Sequence, residues 1–136
     1  MKESDWDAVL NFTKSEWVKD PDRVVLELVF TVDDIRTMAD VPVYIIEAFA
    51  TSGHADGSYH YLSLACDFYF EMGKLTPLEQ FIIISSFKNI GGIGYYPVHY
   101  HKNWHIDLRF GSSRLYWVYD GDYRYGWKEL SKALVA

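Results

Sequence analysis

Two histidines and one aspartate, carried by two short segments, are the residues of this chain whose types could do chemistry together. His60 and Asp67 lie seven positions apart, and His105 opens a His-Ile-Asp-Leu-Arg run further along the chain. Two imidazoles and one carboxylate form the ligand set of a catalytic zinc site, in which the fourth position is left to water. The residues therefore indicate a metal-dependent hydrolase, although the same spacing also fits solvated polar groups on a strand face.

The segment around His105 shows the clearest period-two pattern in the sequence. Polar and apolar residues alternate over 103–110, which predicts a strand with one core face and one polar face. Asp107 shares the polar face with His105, and it is a candidate general base or, with equal weight, a group that orients the imidazole. His101 and Glu47 are weaker candidates for proton transfer, whereas His54 and His99 are expected to be exposed loop residues.

The first half of the chain predicts elements that must position this group. Asp20-Pro21 resembles a helix start, and apolar spacings of three and four then predict an amphipathic helix that ends near Asp40. Residues 43–50 are rich in β-branched and aromatic types and predict a buried strand, followed by a glycine-containing loop over 51–58. A strand over 64–70 would place Asp67 opposite the larger apolar side chains.

The second half predicts a helix, a hairpin and a final short helix. Thr76-Pro77-Leu78-Glu79 matches a capping box that opens a helix, and Gly91-Gly92 would close it. The strand over 103–110 would pair with 115–119 through a turn at residues 111–113. A helix from 125 or 127 to Leu134 completes the chain. We therefore expect one α+β domain, residues 1–136, with flanking helices on a largely antiparallel sheet.

Composition excludes several classes of function. The chain has 136 residues, 49% of them apolar, with a net charge of −6 and no Lys/Arg-rich block, so nucleic acid is not an expected partner. Cys66 is the only cysteine, which excludes an internal disulfide and a thiolate-rich zinc site. No segment is long and apolar enough for a membrane span, and the N-terminus lacks a signal-peptide pattern. We expect synthesis in the cytoplasm without a signal peptide.

The residues around the candidate ligands resemble a known family. The pattern Ser-x-His-x-x-Ser-x-Ala-x-Asp over 58–67 is similar to the Ser-x-His-x-x-Gly-x-Ala-x-Asp signature of zinc D-Ala-D-Ala carboxypeptidases and L-alanyl-D-glutamate endopeptidases, which have the hedgehog/DD-peptidase fold. The runs 91–97 and 104–109 resemble the glycine-rich turn and His-x-Asp strand of phage and bacterial members. Segments 12–17 and 41–46 also resemble the family, so the similarity covers most of the chain.

The resemblance implies a function and assigns roles by position. His60, Asp67 and His105 match the three zinc ligands, and the implied activity is cleavage of peptidoglycan stem peptides, as a carboxypeptidase or an endopeptidase. The implied place of action is the bacterial cell wall, as a phage endolysin or virion component with other phage tail proteins as partners. Independently of the resemblance, the aromatic residues around the motifs suggest a lined groove, and the candidates for substrate contact are Tyr96, Tyr59 and the nearby Arg109.

Three positions depart from the family pattern. Position 63 is Ser instead of Gly, the strand before the metal loop lacks its usual Arg, and Lys102 occupies the position where several members carry the acid that activates water. The last two departures support an alternative function, a catalytically silent domain that serves as a structural or wall-binding part of a phage tail.

Overall fold

One mixed six-stranded sheet organises the chain. The computed structural model describes residues 1–111 and 113–136, in which the strand order is β1-β2-β4-β3-β5-β6. Four of the five strand pairings are antiparallel, and the pairing of β3 with β5 is parallel. The predicted α+β class is confirmed. The strands are β1 (Val43–Glu47), β2 (Ala65–Phe70), β3 (Gly92–Tyr96), β4 (Asn103–Asp107), β5 (Leu115–Tyr119) and β6 (Tyr123–Tyr125).

The first helix, α1 (Leu26–Ala39), begins later than the sequence predicts. Asp20-Pro21 opens only the short 3-10 turn Pro21–Arg23, after which Val24 is extended and buried. The local start signal at Pro21 is therefore overridden by the packing of Val24 into the core. The predicted end is confirmed, because Asp40 closes the helix in the left-handed conformation.

The predicted hairpin between 103–110 and 115–119 is wrong. β4 lies between β2 and β3, whereas β5 pairs with the far side of β3. The chain therefore crosses β3 on its way from β4 to β5, and a Cβ on Gly94 of β3 would lie 2.3 Å from the ring of Trp117 on β5. Because Gly94 has no side chain, the Trp117 ring can lie directly against the backbone of β3. Ser112, in the predicted turn, lies outside the described residues.

β3 itself and the short β6 were not predicted. We expected Gly91-Gly92 to end the second helix, but α2 (Pro77–Ser85) already ends at Ser85, and Gly92 begins a strand. The capping box at Thr76 is confirmed, since its hydroxyl accepts a hydrogen bond from the Glu79 N–H and the Glu79 carboxylate accepts one from the Thr76 N–H. The last helix, α3 (Trp127–Leu134), is also confirmed.

The two faces of the sheet have different surroundings. One face packs against the three helices in a single apolar cluster, in which Phe68 and Trp104 are fully buried. The opposite face carries Asp67 and His105, so the predicted alternation in β2 and β4 is confirmed. Among the described residues, no helix has the length and apolar character needed to cross a membrane.

Candidate metal centre and cleft

His60 is held by a 3-10 turn that the local sequence stabilises. The turn covers Tyr59–Leu62, and its N-cap Ser58 accepts a hydrogen bond from the His60 N–H. Ser63 ends the turn with φ +63°, a left-handed conformation that Gly adopts at lower cost than Ser. The backbone at position 63 thus has the conformation expected where the resembled family carries Gly. The imidazole of His60 is almost completely buried.

Asp67 and His105 are neighbours on adjacent strands. They are direct partners in the register of β2 and β4, and their side chains lie on the same face. One Asp67 oxygen lies 3.0 Å from His105 Nδ1, and the other lies 3.2 Å from His60 Nε2. Each oxygen of this one carboxylate is therefore next to a different imidazole, and the three residues that the sequence singled out form one cluster.

The hydrogen bond at the other nitrogen of His60 fixes which of its nitrogens is free. Nδ1 lies 2.7 Å from the carbonyl oxygen of Ala48, which can only accept, so Nδ1 carries the proton. In the neutral ring, Nε2 then directs a lone pair towards an Asp67 oxygen, and this buried nitrogen has no hydrogen-bond partner. Two acceptors facing each other at 3.2 Å repel one another unless a proton or a metal ion lies between them.

His105 lies between two carboxylates. Its Nε2 is 2.8 Å from Asp107, while its Nδ1 faces Asp67. Burial opposes the charged ring, but the hydrogen bonds with Asp107 and Asp67 outweigh it and raise the pKa of His105 to about 9. A neutral ring can donate to only one of the two carboxylates. A proton or a metal ion must therefore satisfy the other side of the ring.

Asp107 is completely buried and is paired with Arg109. The guanidinium donates two hydrogen bonds of 2.7 Å to the carboxylate, in the fork geometry that suits this pair. Burial raises the pKa of Asp107, but the hydrogen bonds from Arg109 and His105 dominate and lower it to about 2. A Cβ on Gly92 would lie 2.5 Å from an Asp107 oxygen, so this site requires glycine in β3.

The separations between the donor atoms fit a metal ion. Two ligand atoms each about 2.0–2.1 Å from a tetrahedral zinc ion lie about 3.3 Å apart. The 3.0 Å separation at one Asp67 oxygen and the 3.2 Å separation at the other are each close to that value, and the donor set of two imidazoles and one carboxylate suits zinc. The residues whose donor atoms all lie within 4.8 Å of one another, and could therefore hold one ion, are His54, His60 and Asp67. His105 adjoins this group through its 3.0 Å contact with Asp67.

The cluster forms the floor of an open cleft of about 640 Å³. Tyr59, Tyr96 and Arg109, the residues that the sequence analysis gives for substrate contact, all line this cleft. Tyr96 accepts a hydrogen bond from the Trp117 indole, and Arg109 lies over the Tyr59 ring. Desolvation raises the pKa of the Tyr96 hydroxyl, which therefore stays protonated. Sequence reasoning missed the aromatic wall added by β5 and β6: Trp117, Tyr119, Tyr123 and Tyr125.

The other predicted proton-transfer residues lie outside the cleft wall. The His101 ring stacks on Tyr69 with 4.2 Å between ring centroids, and neither His101 nor Asp107 lines the cleft. The contacts of Asp107 favour its orienting role over its role as a base. His99 does line the cleft, as does His54, which is only partly exposed rather than the exposed loop residue that we expected.

Arg114 has a structural role. Its guanidinium donates to three backbone carbonyls, those of Ser85, Phe87 and Ile90, at the end of α2 and in the segment that follows. These acceptors include carbonyls that a helix end leaves without partners, which is where a cation is favourable. Arg114 is thus engaged with backbone, and Arg109 is the arginine at the cleft.

Comparisons of the chain with known protein families, curated proteins and solved structures found no match. The assignment of a function therefore depends on the residues of the cleft and on the motif resemblance.

Proposed function

We propose that this protein is a zinc-dependent peptidase that cleaves peptidoglycan stem peptides, with the hedgehog/DD-peptidase fold. The observation that carries the proposal is the position of the Asp67 carboxylate between two imidazoles: one oxygen faces His105 Nδ1, and the other faces His60 Nε2, a buried nitrogen without a hydrogen-bond partner. A metal ion held by His60, Asp67 and His105 would give this nitrogen a partner. The motif resemblance supports zinc as the ion and a peptide bond as the target.

The protein residues around the ion have separate tasks. When bound, zinc acts as a Lewis acid on the scissile carbonyl and makes water more acidic. Asp107 accepts the Nε2–H of His105 and thereby directs Nδ1 towards the ion, and the Ala48 carbonyl does the same for His60 through its Nδ1–H. Arg109 neutralises the buried Asp107 carboxylate. These contacts hold both rings in place before a substrate arrives.

The shape of the cleft supports an extended substrate with both polar and apolar groups. A volume of about 640 Å³ accommodates several residues of a peptide, and the aromatic side chains of β5 and β6 form one side. Among the described residues that line the cleft, the acids are Asp56 and Asp67, while His54 and His99 are imidazoles that can carry a proton. His99 is the first candidate to protonate the leaving amine.

The proposed site of action is the bacterial cell wall. The similarity of the two motifs to phage members supports an endolysin or a virion component that opens the wall locally. Partners would then be the stem peptide and, in a virion, other tail proteins.

A direct test incubates the zinc-loaded protein with purified muropeptides and follows the products by mass spectrometry. We expect release of a terminal D-alanine or cleavage within the stem peptide, and we expect a chelator to abolish it. His99→Ala should slow the reaction without loss of zinc, whereas His60→Ala should lose both. Intact muropeptides, with a known endolysin active in parallel, would refute the peptidase proposal.

The alternative is a catalytically silent domain of a phage tail, and one observation favours it. The Asp107 carboxylate is already paired with Arg109 and His105, so it is not free to accept a proton from water at the ion. The position three residues before His105 is Lys102, which carries no carboxylate. This candidate predicts zinc binding and wall binding without cleavage, which the muropeptide experiment distinguishes.

A further inference from the structure

His54 is a third imidazole at the candidate centre, although it was expected to be an exposed loop residue. A donor atom of His54 lies within 4.8 Å of donor atoms of His60 and Asp67. Its ring stacks on that of His60, with 4.1 Å between centroids and 16° between planes. The residue comes from the loop over 51–58, whereas the other candidate ligands come from the turn before β2 and from two strands.

Contacts of the loop hold His54 in this position. The Tyr61 hydroxyl accepts a hydrogen bond of 2.8 Å from the His54 backbone N–H and donates one of 2.7 Å to its carbonyl. A Glu47 oxygen lies 3.4 Å from His54 Nε2, and Glu47 is paired with Lys19. Each of the three imidazoles thus has one nitrogen next to an acceptor: the Ala48 carbonyl, Asp107 or Glu47. Such a partner typically orients a histidine that binds a metal.

A second observation is a buried nitrogen that has no partner. The buried Nε2 of His60 has no hydrogen-bond partner and is directed at Asp67, and His54 stacks directly on this ring. A donor atom of His54 is within 4.8 Å of those of His60 and Asp67, so an ion at this place comes within reach of His54 after a rotation of its ring, because the lone pair of an imidazole lies in the ring plane. Gly53 and Gly57, both with positive φ, flank the loop segment that carries His54 and allow its path towards the centre.

We propose that His54 is a fourth protein ligand of the metal. In this role His54 occupies the coordination position that a zinc hydrolase leaves to water. The site with four protein ligands is then a closed resting state, and cleavage requires the loop over 51–58 to withdraw His54. This inference rests on the metal site of the proposed function. It adds a control step to that site, because structural zinc sites are closed and catalytic sites keep an open position.

The test replaces zinc with cobalt(II), whose visible spectrum reports the number and type of ligands, and uses azide as a probe for an open position. Wild-type protein should show a four-coordinate spectrum that azide changes only weakly. His54→Ala should retain cobalt with an altered spectrum, bind azide at least about 10-fold more tightly, and bind zinc about 10-fold more weakly. His54→Gln should behave like His54→Ala, which excludes an effect of lost volume.

The matched control is His99→Ala, since His99 also lines the cleft but is hydrogen-bonded to Asn103 away from the ligand cluster. Its cobalt spectrum and azide affinity should equal those of the wild type. Tyr61→Phe, which removes the hydroxyl that binds the loop, should raise azide affinity towards that of His54→Ala. Identical spectra and azide affinities for wild type and His54→Ala would overturn the inference.

The outcomes also separate this inference from the proposed function. If His54→Ala changes the spectrum as expected but no muropeptide is cleaved by any variant, His54 is a ligand and the peptidase proposal fails. If His54→Ala equals the wild type while the wild type cleaves, the peptidase proposal stands and the inference fails. Wild-type protein that takes up no cobalt and no zinc would overturn both.

Discussion

The two faces of the central sheet differ in the hydrogen bonding of the buried polar atoms around Trp104 and around Asp67. On the helix-covered face, Phe68 and Trp104 are buried among apolar neighbours, and the Trp104 indole N–H finds a partner in Gln80. On the cleft face, one residue away along the same strands, Asp67 lies beside His105, and the buried His60 nitrogen that also faces Asp67 has no hydrogen-bond partner. A buried polar group without a hydrogen bond is costly, so the cleft face is where a bound ion is expected.

The largest effect should come from removal of a ligand on the cleft face. His60→Ala deletes the nitrogen that faces Asp67, and zinc affinity should fall by more than about 100-fold, beyond the loss seen for partners of ligands. Competition with a chelator measures the affinity, and circular dichroism checks the fold. His99→Ala serves as the control with affinity near that of the wild type. Retention of tight zinc binding by His60→Ala would remove His60 from the site.

On the helix-covered face, a substitution at Phe68, the neighbour of Asp67 in β2, should affect stability instead of metal binding. Phe68→Ala leaves a cavity in the core and should lower the free energy of unfolding by about 3–5 kcal/mol. Its zinc affinity, measured at low temperature where the variant is folded, should stay within about threefold of the wild type. A loss of zinc binding as large as that of His60→Ala would show that the two faces are not independent.

The affinity for zinc should depend on pH through His105. The pKa of this residue is raised to about 9, so the metal-free protein holds the proton below that pH and must release it when zinc binds. Apparent affinity should therefore rise about tenfold per pH unit between pH 6 and 8, after correction for the chelator. The slope should become flat above about pH 9. A flat profile across the whole range would contradict coordination by His105.

A smaller effect is expected at the buried partner of that ring. Asp107→Asn should weaken zinc binding by about 10–100-fold, as for other residues that orient a ligand. If Asp107 only positions His105, cleavage should recover at saturating zinc. If cleavage stays lost when zinc is saturating, Asp107 acts as the general base. The same variant should also shift the break in the pH profile to lower pH, since one carboxylate no longer supports the His105 proton.

The smallest effect is expected at the aromatic wall. Tyr123 on β6 is half exposed and lines the cleft, where its ring neighbours are other tyrosines of the wall. Tyr123→Ala should raise KM for a muropeptide by about two- to tenfold, the equivalent of one aromatic contact, and leave kcat and zinc affinity unchanged. Tyr44→Ala, which removes an aromatic side chain from β1 outside the cleft, is the matched control. Equal KM values for both variants would exclude β6 from substrate binding.

The sequence predicted the parts of this site that depend on periodicity. Alternation in β2 and β4 places Asp67 and His105 on one face, because a side-chain period of two is a property of every strand. The capping box at Thr76 is equally local, and the structure has it as predicted.

Features that depend on the path of the chain were missed. Gly91-Gly92 has the composition of a helix stop, but at Gly92 the glycine provides space for Asp107 within β3. Nearness in sequence suggested that β4 and β5 pair, whereas β3 lies between them. The position of His54 follows from the course of an irregular loop, for which no periodic pattern exists.

The most direct test of the account is a crystal structure of the zinc-loaded protein with anomalous data at the zinc edge. We predict one anomalous peak in the cleft, bonded to His60 Nε2, His105 Nδ1 and an oxygen of Asp67. The absence of a peak there in crystals soaked with zinc, with His105 still bonded to both carboxylates, would contradict the central claim that this cluster is a metal site.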